Sequence, residues 1–340
     1  MNSVHSDFVP STPGTPFAEV DDTIPDSQKN GIYYFVIIFF ILSAVAAIIL
    51  TGAFLVVSVF LWGYLKPMKF FWFLVQMTFS AFIVSSINFV FNVPATLFSI
   101  TTESFVHSDL YLVMLYLIDF FLRSILFSNL AIAIQRFFVF FHSDRIDAIF
   151  NSPFIYIWLI LIWLLPFLIL VPLFQNGCSY KYDSEDQKFG MYCYRILGTK
   201  RVEIETPSAI IMLEDIIQIV IPILILILYV VLVIRLLKMK KSSRNKNEVI
   251  ILKQAFFIFV MFQIYNIVTL YAKTISVNAA TAIYLNRAIH TSEIFAGLVT
   301  PCFVFFTSRE IRKLITTKVA AGSQGSSNLR AGRINVVQIS

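Results

Sequence analysis

Residues 110–141 read LYLVMLYLIDFFLRSILFSNLAIAIQRFFVFF, an apolar run of helical length with three charged side chains. A bilayer core needs about 20 apolar residues per helix, so this run is long enough to cross it. Its charges, Asp119, Arg123 and Arg136, are costly in hydrocarbon and therefore predict contact with other helices or with a polar cavity. The run indicates a membrane protein.

The composition of the whole chain agrees with this run. Its 340 residues are 58% hydrophobic and 14% charged, with a mean hydropathy of +0.80, which leaves too little polar surface to cover soluble domains. Three cysteines are too few for a disulfide-rich secreted protein. The net charge of +6 comes from residues beside apolar segments, so it reflects membrane topology and predicts no nucleic-acid partner.

The predicted fold is all-α, a bundle of seven transmembrane helices. Besides 110–141, a further span at 282–306 carries charge, at Arg287 and Glu293. The other five spans are predicted from stretches without any charged residue, which lie between Asn30 and Lys66, Lys69 and Glu103, Asp147 and Lys181, Asp215 and Arg235, and Lys253 and Lys273.

The distribution of Lys and Arg predicts the orientation of the bundle in its lipid bilayer. These residues number 17 on the side of the C-terminus and 8 on the other side. The positive-inside rule therefore places the N-terminus outside and the C-terminus in the cytosol of a multi-pass protein.

Four regions are predicted along the chain. Residues 1–31 form a flexible extracellular arm, without the basic start and apolar core of a cleavable signal peptide. Residues 32–306 form the bundle. Residues 307–317 form an amphipathic helix on the membrane surface, and residues 318–340 form a disordered cytosolic tail.

No pattern of catalytic chemistry is visible in the sequence. The four histidines are scattered, and there is no His-Glu-x-x-His, no glycine-rich phosphate loop and no Gly-x-Ser-x-Gly turn. We therefore expect no enzyme activity, no metal site and no cofactor.

Asp119 and Arg123 are one helical turn apart, so they share a face and can form an ion pair. At 1.5 Å per residue they lie roughly 13 and 20 Å into the membrane, which requires them to face the bundle interior. Two interpretations remain open for this pair. It either fixes helix packing or forms the floor of a ligand pocket or a proton-linked switch.

Polar groups of the last two spans are further candidates for ligand binding. His290 and Glu293 share one face of the seventh span, and a carboxylate within a span favours a pocket over a packing role. Gln263, Tyr265 and Asn266 of the sixth span form hydrogen bonds either between helices or to a ligand.

Glu214 and Asp215 are predicted to open the fifth span. Acidic residues are favoured at a helix N-terminus by the helix dipole, so interfacial capping is the preferred role, with a pocket mouth as the alternative.

Cys178 and Cys193 both lie in the large loop predicted outside, which is an oxidising compartment. A disulfide within the loop is the simplest assignment, worth about 3 kcal/mol by chain entropy. Cys302, near the cytosolic end of the last span, is predicted to be a small buried thiol, with palmitoylation as the alternative.

The order of several landmarks between about residues 33 and 316 resembles a rhodopsin-like G-protein-coupled receptor, and the Phe-rich composition is similar to that of the nematode serpentine chemoreceptors. These landmarks are Gln135-Arg136-Phe137, Trp158 and Pro166, Pro222, Thr300-Pro301, and the segment Ser308 to Leu314. The resemblance implies that Gln135, Arg136 and Phe137 contact a heterotrimeric G protein.

The chain also departs from that family. Gln135 and Phe137 stand where the family has an acid and a Tyr around the Arg, and the usual Cys at the start of the third span is missing. The sixth span has no Pro, and the last motif reads Thr-Pro-Cys-Phe-Val.

We therefore expect a chemosensory receptor in the plasma membrane, with the sensory cilium as one site that the resemblance implies. It would bind an extracellular small molecule or short peptide and signal through a cytosolic G protein. The candidate ligand-binding residues are Asp119, Arg123, Gln263, Asn266, His290 and Glu293. The alternatives are a transporter or channel with a polar path through Asp119, Arg123, His290 and Glu293, and a seven-helix scaffold that has lost coupling.

Overall fold

The structure, a computed structural model, describes residues 29–94, 109–183, 187–197, 200–239 and 246–307. The predicted surface helix and the predicted tail lie outside the described residues, apart from residue 307. The predicted arm lies outside them too, apart from residues 29–31.

The described part of the chain contains seven long helices. They are α1 Gly31–Phe60, α2 Lys69–Ile87, α3 Asp109–Phe141, α4 Phe154–Gln175, α5 Ser208–Lys238, α6 Lys246–Thr274 and α7 Ala279–Thr307. Two π-helical turns occur, Asn88–Asn92 at the end of α2 and Ile216–Val220 within α5. Short helical turns at Trp62–Leu65, Ser143–Arg145 and Ile146–Phe150 lie in connections.

Six of these helices, α1 to α6, are long and apolar enough to cross a membrane. The prediction of seven such spans is not met, because α7 carries Arg287, His290 and Glu293 besides several Thr, Ser and Asn. Many outward side chains of α1, α4 and α5 are apolar and exposed. These helices fit a multi-pass membrane protein.

The helices pack around α3, which contacts α2, α4, α5 and α6. The main hydrophobic core includes Phe73, Met77, Ile132, Ile225 and Phe259. α7 lies beside α1, α6 and α2. A Cβ atom at Gly297 would come 2.7 Å from the Cβ of Ala81, so α7 and α2 approach closely at this glycine.

The connection between α4 and α5 forms an antiparallel sheet, so the chain is mostly helical and the all-α prediction is wrong there. Its strands are β1 Cys178–Asp183, β2 Lys188–Leu197 and β3 Lys200–Ile204, in the order β1-β2-β3. The strands are rich in aromatic and β-branched residues, which favour extended structure. Gly177 has φ +61°, and there a side chain would clash with the carbonyl oxygen of Tyr194.

The sheet is fastened to one end of the bundle, which we call the sheet end, where α4 and α6 end and α5 begins. Cys178 pairs with Cys193 across β1 and β2, and their sulfur atoms are 2.04 Å apart. The predicted disulfide is therefore confirmed. The hydroxyl of Tyr116 on α3 donates to the carbonyl of Cys178 (3.1 Å), and the amide of Val277 donates to the carbonyl of Gln187 (2.8 Å).

Candidate functional site

Asp119 and Arg123 form an ion pair on α3. Arg123 donates from Nη2 and Nε to Asp119 Oδ2, at 2.7 and 2.9 Å. The Arg123 side chain is 5% exposed, whereas that of Asp119 is 39% exposed. The guanidinium is therefore the buried member of the pair.

Glu214 of α5 is the second partner of Arg123. Arg123 Nη2 donates to Glu214 Oε1 at 2.6 Å, and the Glu214 side chain is 5% exposed. The expected capping role of Glu214 and Asp215 is wrong, because α5 begins at Ser208 and both residues lie beyond its first turn. Asp215 is exposed, so the two acidic neighbours have different environments.

Gln218, Lys273 and Tyr180 extend these contacts to α6 and the sheet. Gln218 donates to Glu214 Oε2 (3.1 Å) and to the Tyr180 hydroxyl (3.3 Å), and Lys273 Nζ donates to Gln218 Oε1 (2.6 Å). Lys273 Nζ also lies 3.8 Å from the centre of the Tyr180 ring. We call the six residues the charged network: Asp119, Arg123, Tyr180, Glu214, Gln218 and Lys273.

A sequence pattern points to two of the three residues that extend the network. Lys273 ends the charge-free run of the sixth span, and Gln218 follows Glu214 by one helical turn. No sequence pattern points to Tyr180, because only the folded sheet brings β1 to the helix ends.

The charged network contains two carboxylates and two cations, so its formal charges cancel. Tyr180 as a whole residue is 40% exposed, but its hydroxyl accepts a hydrogen bond from Gln218. Desolvation of that hydroxyl and the nearby Glu214 carboxylate raise the pKa of Tyr180 above its usual value of 10, which keeps the phenol neutral. Such a network can bind polar groups of a ligand by exchanging internal partners for external ones.

The candidate residues on α6 and α7 form a second polar group. His290 Nδ1 and Glu293 Oε2 are 3.0 Å apart, and Asn266 Nδ2 donates to Gln263 Oε1 at 3.4 Å. Glu293 and Asp119 both interact electrostatically with Tyr265. In the described residues no hydrogen bond or ion pair joins this group to the charged network.

Gln135, Arg136 and Phe137 lie on α3 far from the sheet end. Arg136 is 3% exposed, and its guanidinium carbon lies 4.5 Å from the centre of the Phe70 ring. Gln135 is also buried, and Phe137 stacks on Phe141 with 4.7 Å between ring centres. In this structure Gln135 and Arg136 therefore face the bundle interior, whereas Phe137 is half-buried.

Cys302 is a half-buried free thiol on α7. Over the described ranges, no group of three or more His, Cys, Asp and Glu side chains could hold a metal ion.

Residues 22–327 match the model of the family described as "Protein of unknown function (DUF621)", and the chain belongs to that family. No match to a G-protein-coupled or serpentine receptor family accompanies it. The predicted membership of the rhodopsin-like and nematode serpentine families is therefore wrong, in keeping with the altered residues around Arg136 and in the last motif. None of the curated proteins matches the chain.

Proposed function

We propose that this DUF621 member is a plasma-membrane receptor that binds a small molecule or short peptide outside the cell, as a chemosensory receptor does. The ligand binds at the sheet end, and the signal passes to a heterotrimeric G protein in the cytosol. The N-terminus lies outside and the C-terminus inside, with α7 as a seventh span. No catalytic step is involved.

The charged network is the observation that supports this proposal. It connects the disulfide-bonded sheet to α3, α5 and α6 through six side chains. A ligand that contacts Tyr180 or Lys273 therefore competes for bonds that also hold Arg123 and Glu214. Binding at the surface of the sheet end thereby changes the relative stability of two helix arrangements.

The burial of its charged groups allows α7 to cross the membrane. Arg287 and Glu293 are both buried within the bundle, so neither charge faces lipid. Charged residues in membrane spans generally face the bundle interior in this way.

Signalling requires the far end of α3 to open. Arg136 is buried against Phe70, so a cytosolic partner reaches it only after α2 and α3 separate. We identify the described arrangement with the resting state, and ligand binding favours an open state in which Arg136 is accessible.

The transporter or channel interpretation has less support. It needs a continuous polar path through Asp119, Arg123, His290 and Glu293. In the described residues Asp119 bonds to Arg123, which also bonds to Glu214, and His290 bonds to Glu293, with no bond between the two pairs.

The test is a response screen in cells that express the full chain with a promiscuous G protein and a second-messenger reporter. Odorant-like molecules and short peptides are the ligands. Agonist potency should fall roughly tenfold or more in Lys273→Gln at equal surface level, because the network loses its cationic link to Tyr180. Lys188→Gln is the matched control, because Lys188 is an exposed cation of the same sheet.

Ligand uptake or ionic current that persists without any G protein would contradict the receptor proposal and favour transport. Equal agonist potency in the Lys273→Gln and Lys188→Gln variants would show that the charged network takes no part in ligand binding.

A further inference from the structure

A groove between α1, α6 and α7 runs along the outside of the bundle. Its volume is about 350 Å³, which is within the range of small-molecule sites. Phe35, Ile264 and Ala288 of its lining are exposed, so the groove is open on the side away from the core. None of the described residues that line it carries a charge, so the groove favours a neutral occupant.

Three phenyl rings form one continuous wall of the groove. The rings of Phe35 and Phe39 on α1 are nearly parallel, at an interplanar angle of 7° with 6.0 Å between their centres. The ring of Phe39 stacks in turn on that of Phe295 on α7, with 5.7 Å between centres. A flat, rigid apolar molecule fits such a wall better than a flexible chain, because it loses fewer rotatable bonds on binding.

The residues of α7 that line the groove follow one face of the helix. Tyr284, Ala288 and Ser292 are spaced four residues apart, so they lie one above the other. Ala288 has only a methyl group, which leaves room between the two larger polar residues. Tyr284 and Ser292 are two turns apart, which is about 12 Å at 1.5 Å per residue.

The two polar positions of this face differ in what they can offer a ligand. The hydroxyl of Ser292 donates to the carbonyl of Ile289 at 2.7 Å, so only its lone pairs remain, and these accept. The neighbouring hydroxyl of Thr291 donates to the carbonyl of Arg287 in the same way, at 2.7 Å. The hydroxyl of Tyr284 makes no hydrogen bond in the described part of the chain and retains a proton to donate. A complementary ligand therefore carries a donor at the Ser292 end and an acceptor at the Tyr284 end.

We propose that the groove binds a neutral steroid with an oxygen atom at each end, a hydroxyl at Ser292 and a carbonyl or hydroxyl at Tyr284. The fused rings of a steroid are rigid and flat, and their length brings the two end oxygens close to the two-turn spacing of these residues. The steroid enters sideways from the lipid, because the groove opens on that face. This site is separate from the charged network and does not depend on the proposed function.

Equilibrium binding of radiolabelled androsterone to the purified full chain in phosphatidylcholine nanodiscs tests the proposal. Androsterone has a hydroxyl at one end and a ketone at the other, and we expect it to bind saturably. Androstanol lacks the ketone, and androstanedione lacks the hydroxyl. Each of these should compete roughly threefold to tenfold more weakly than androsterone, because it loses one hydrogen bond.

Two variants assign each end of the steroid to a residue. Tyr284→Phe should abolish the advantage of androsterone over androstanol, because the ketone loses its donor. Ser292→Ala should abolish the advantage of androsterone over androstanedione, because the hydroxyl loses its acceptor. Ala288→Phe should weaken the binding of all three steroids roughly tenfold or more, because it fills the groove from an exposed position.

The matched controls make the same chemical changes away from the groove. Tyr271→Phe removes the hydroxyl of an exposed tyrosine of α6. Ser86→Ala removes a hydroxyl of α2 that donates to the Phe82 carbonyl of its own helix, at 2.8 Å. Both variants should keep the wild-type order of the three steroids.

Equal competition by the three steroids on the wild type would overturn the proposal, as would the absence of saturable androsterone binding. Competition by oleyl alcohol as strong as that by androsterone would overturn it too and assign the groove to a flexible lipid chain. If a groove variant does not fold, the competition series on the wild type still decides. No measurement here uses signalling, so failure of the receptor proposal leaves this test intact.

Discussion

Arg123 has two carboxylate partners that differ in burial, so their removal should have unequal effects. Arg123→Gln should be the most harmful single change, because it strands the buried Glu214 carboxylate at a cost of about 3 to 5 kcal/mol. Adding Glu214→Gln should restore part of this loss, because neither charge then remains unpaired. Thermal unfolding of the detergent-solubilised protein measures each change.

Asp119→Asn is the control for that series. Its carboxylate is 39% exposed and retains solvent, so its loss should cost at most about 1 kcal/mol. A double variant of Arg123 and Glu214 that is less stable than Arg123→Gln alone would contradict the ion-pair assignment.

Local spacing explains which of these residues could be predicted. Asp119 and Arg123 are four residues apart on one helix, so the sequence alone predicts their contact. Glu214 and Lys273 come from other helices, and their distances to α3 depend on how the bundle packs. Arg287 is identified from the sequence as a charged residue of the last span, but that no charged partner lies beside it among the described residues is visible only in the folded chain.

The sheet contains one covalent cross-link, the disulfide that joins β1 to β2. Cys178→Ser and Cys193→Ser should lower surface expression to a similar extent, and the double variant should be no worse than either single variant, because each removes the same disulfide. Flow cytometry of tagged protein measures this. Additive losses would mean that the two cysteines have separate roles.

The contact between α7 and α2 depends on the absence of a side chain at Gly297. Gly297→Val should destabilise the protein by about 1 to 3 kcal/mol, because its side chain would overlap Ala81. Ala81→Gly in the same chain should restore part of the stability, by removing the Cβ that the introduced valine would meet. Gly63→Val is the control, since no atom lies within 4 Å of a Cβ at Gly63. Thermal unfolding that is unchanged by Gly297→Val would contradict the close approach.

Helices were predicted better than strands, for a physical reason. A run of about 20 apolar residues admits almost no structure but a helix in lipid, so charge-free runs indicate α1, α2, α4, α5 and α6, and a mostly apolar run indicates α3. The sheet forms from a polar loop whose strand signal is short and depends on pairing between distant residues. The α7 helix itself was expected, but its polar residues place it below the hydropathy of the other helices.

Orientation is a property of the whole molecule, and the distribution of basic residues predicts it. A tag at residue 2 should be labelled on intact cells and a tag at residue 338 only after permeabilisation, because Lys and Arg number 17 on one side and 8 on the other. A tag in the sheet at Lys188 should also be labelled on intact cells, as the tag at residue 2 is. Accessibility of both termini on intact cells would mean an even number of spans, with α7 not crossing.

The π-helical turn Ile216–Val220 places one extra residue between the two halves of α5. The first half carries Glu214, and the second buries Ile225 and Tyr229 in the core. Each residue of a helix turns the chain by about 100°. Deleting the extra residue of the π turn would leave a regular α-turn in which Glu214 and Tyr229 keep their faces, whereas a deletion between this turn and Glu214 would rotate Glu214 out of line with Arg123. The number of residues in α5 therefore fixes the rotation of its sheet-end half relative to its core-facing half. A change of helix length alters that rotation, and a change of side chain does not.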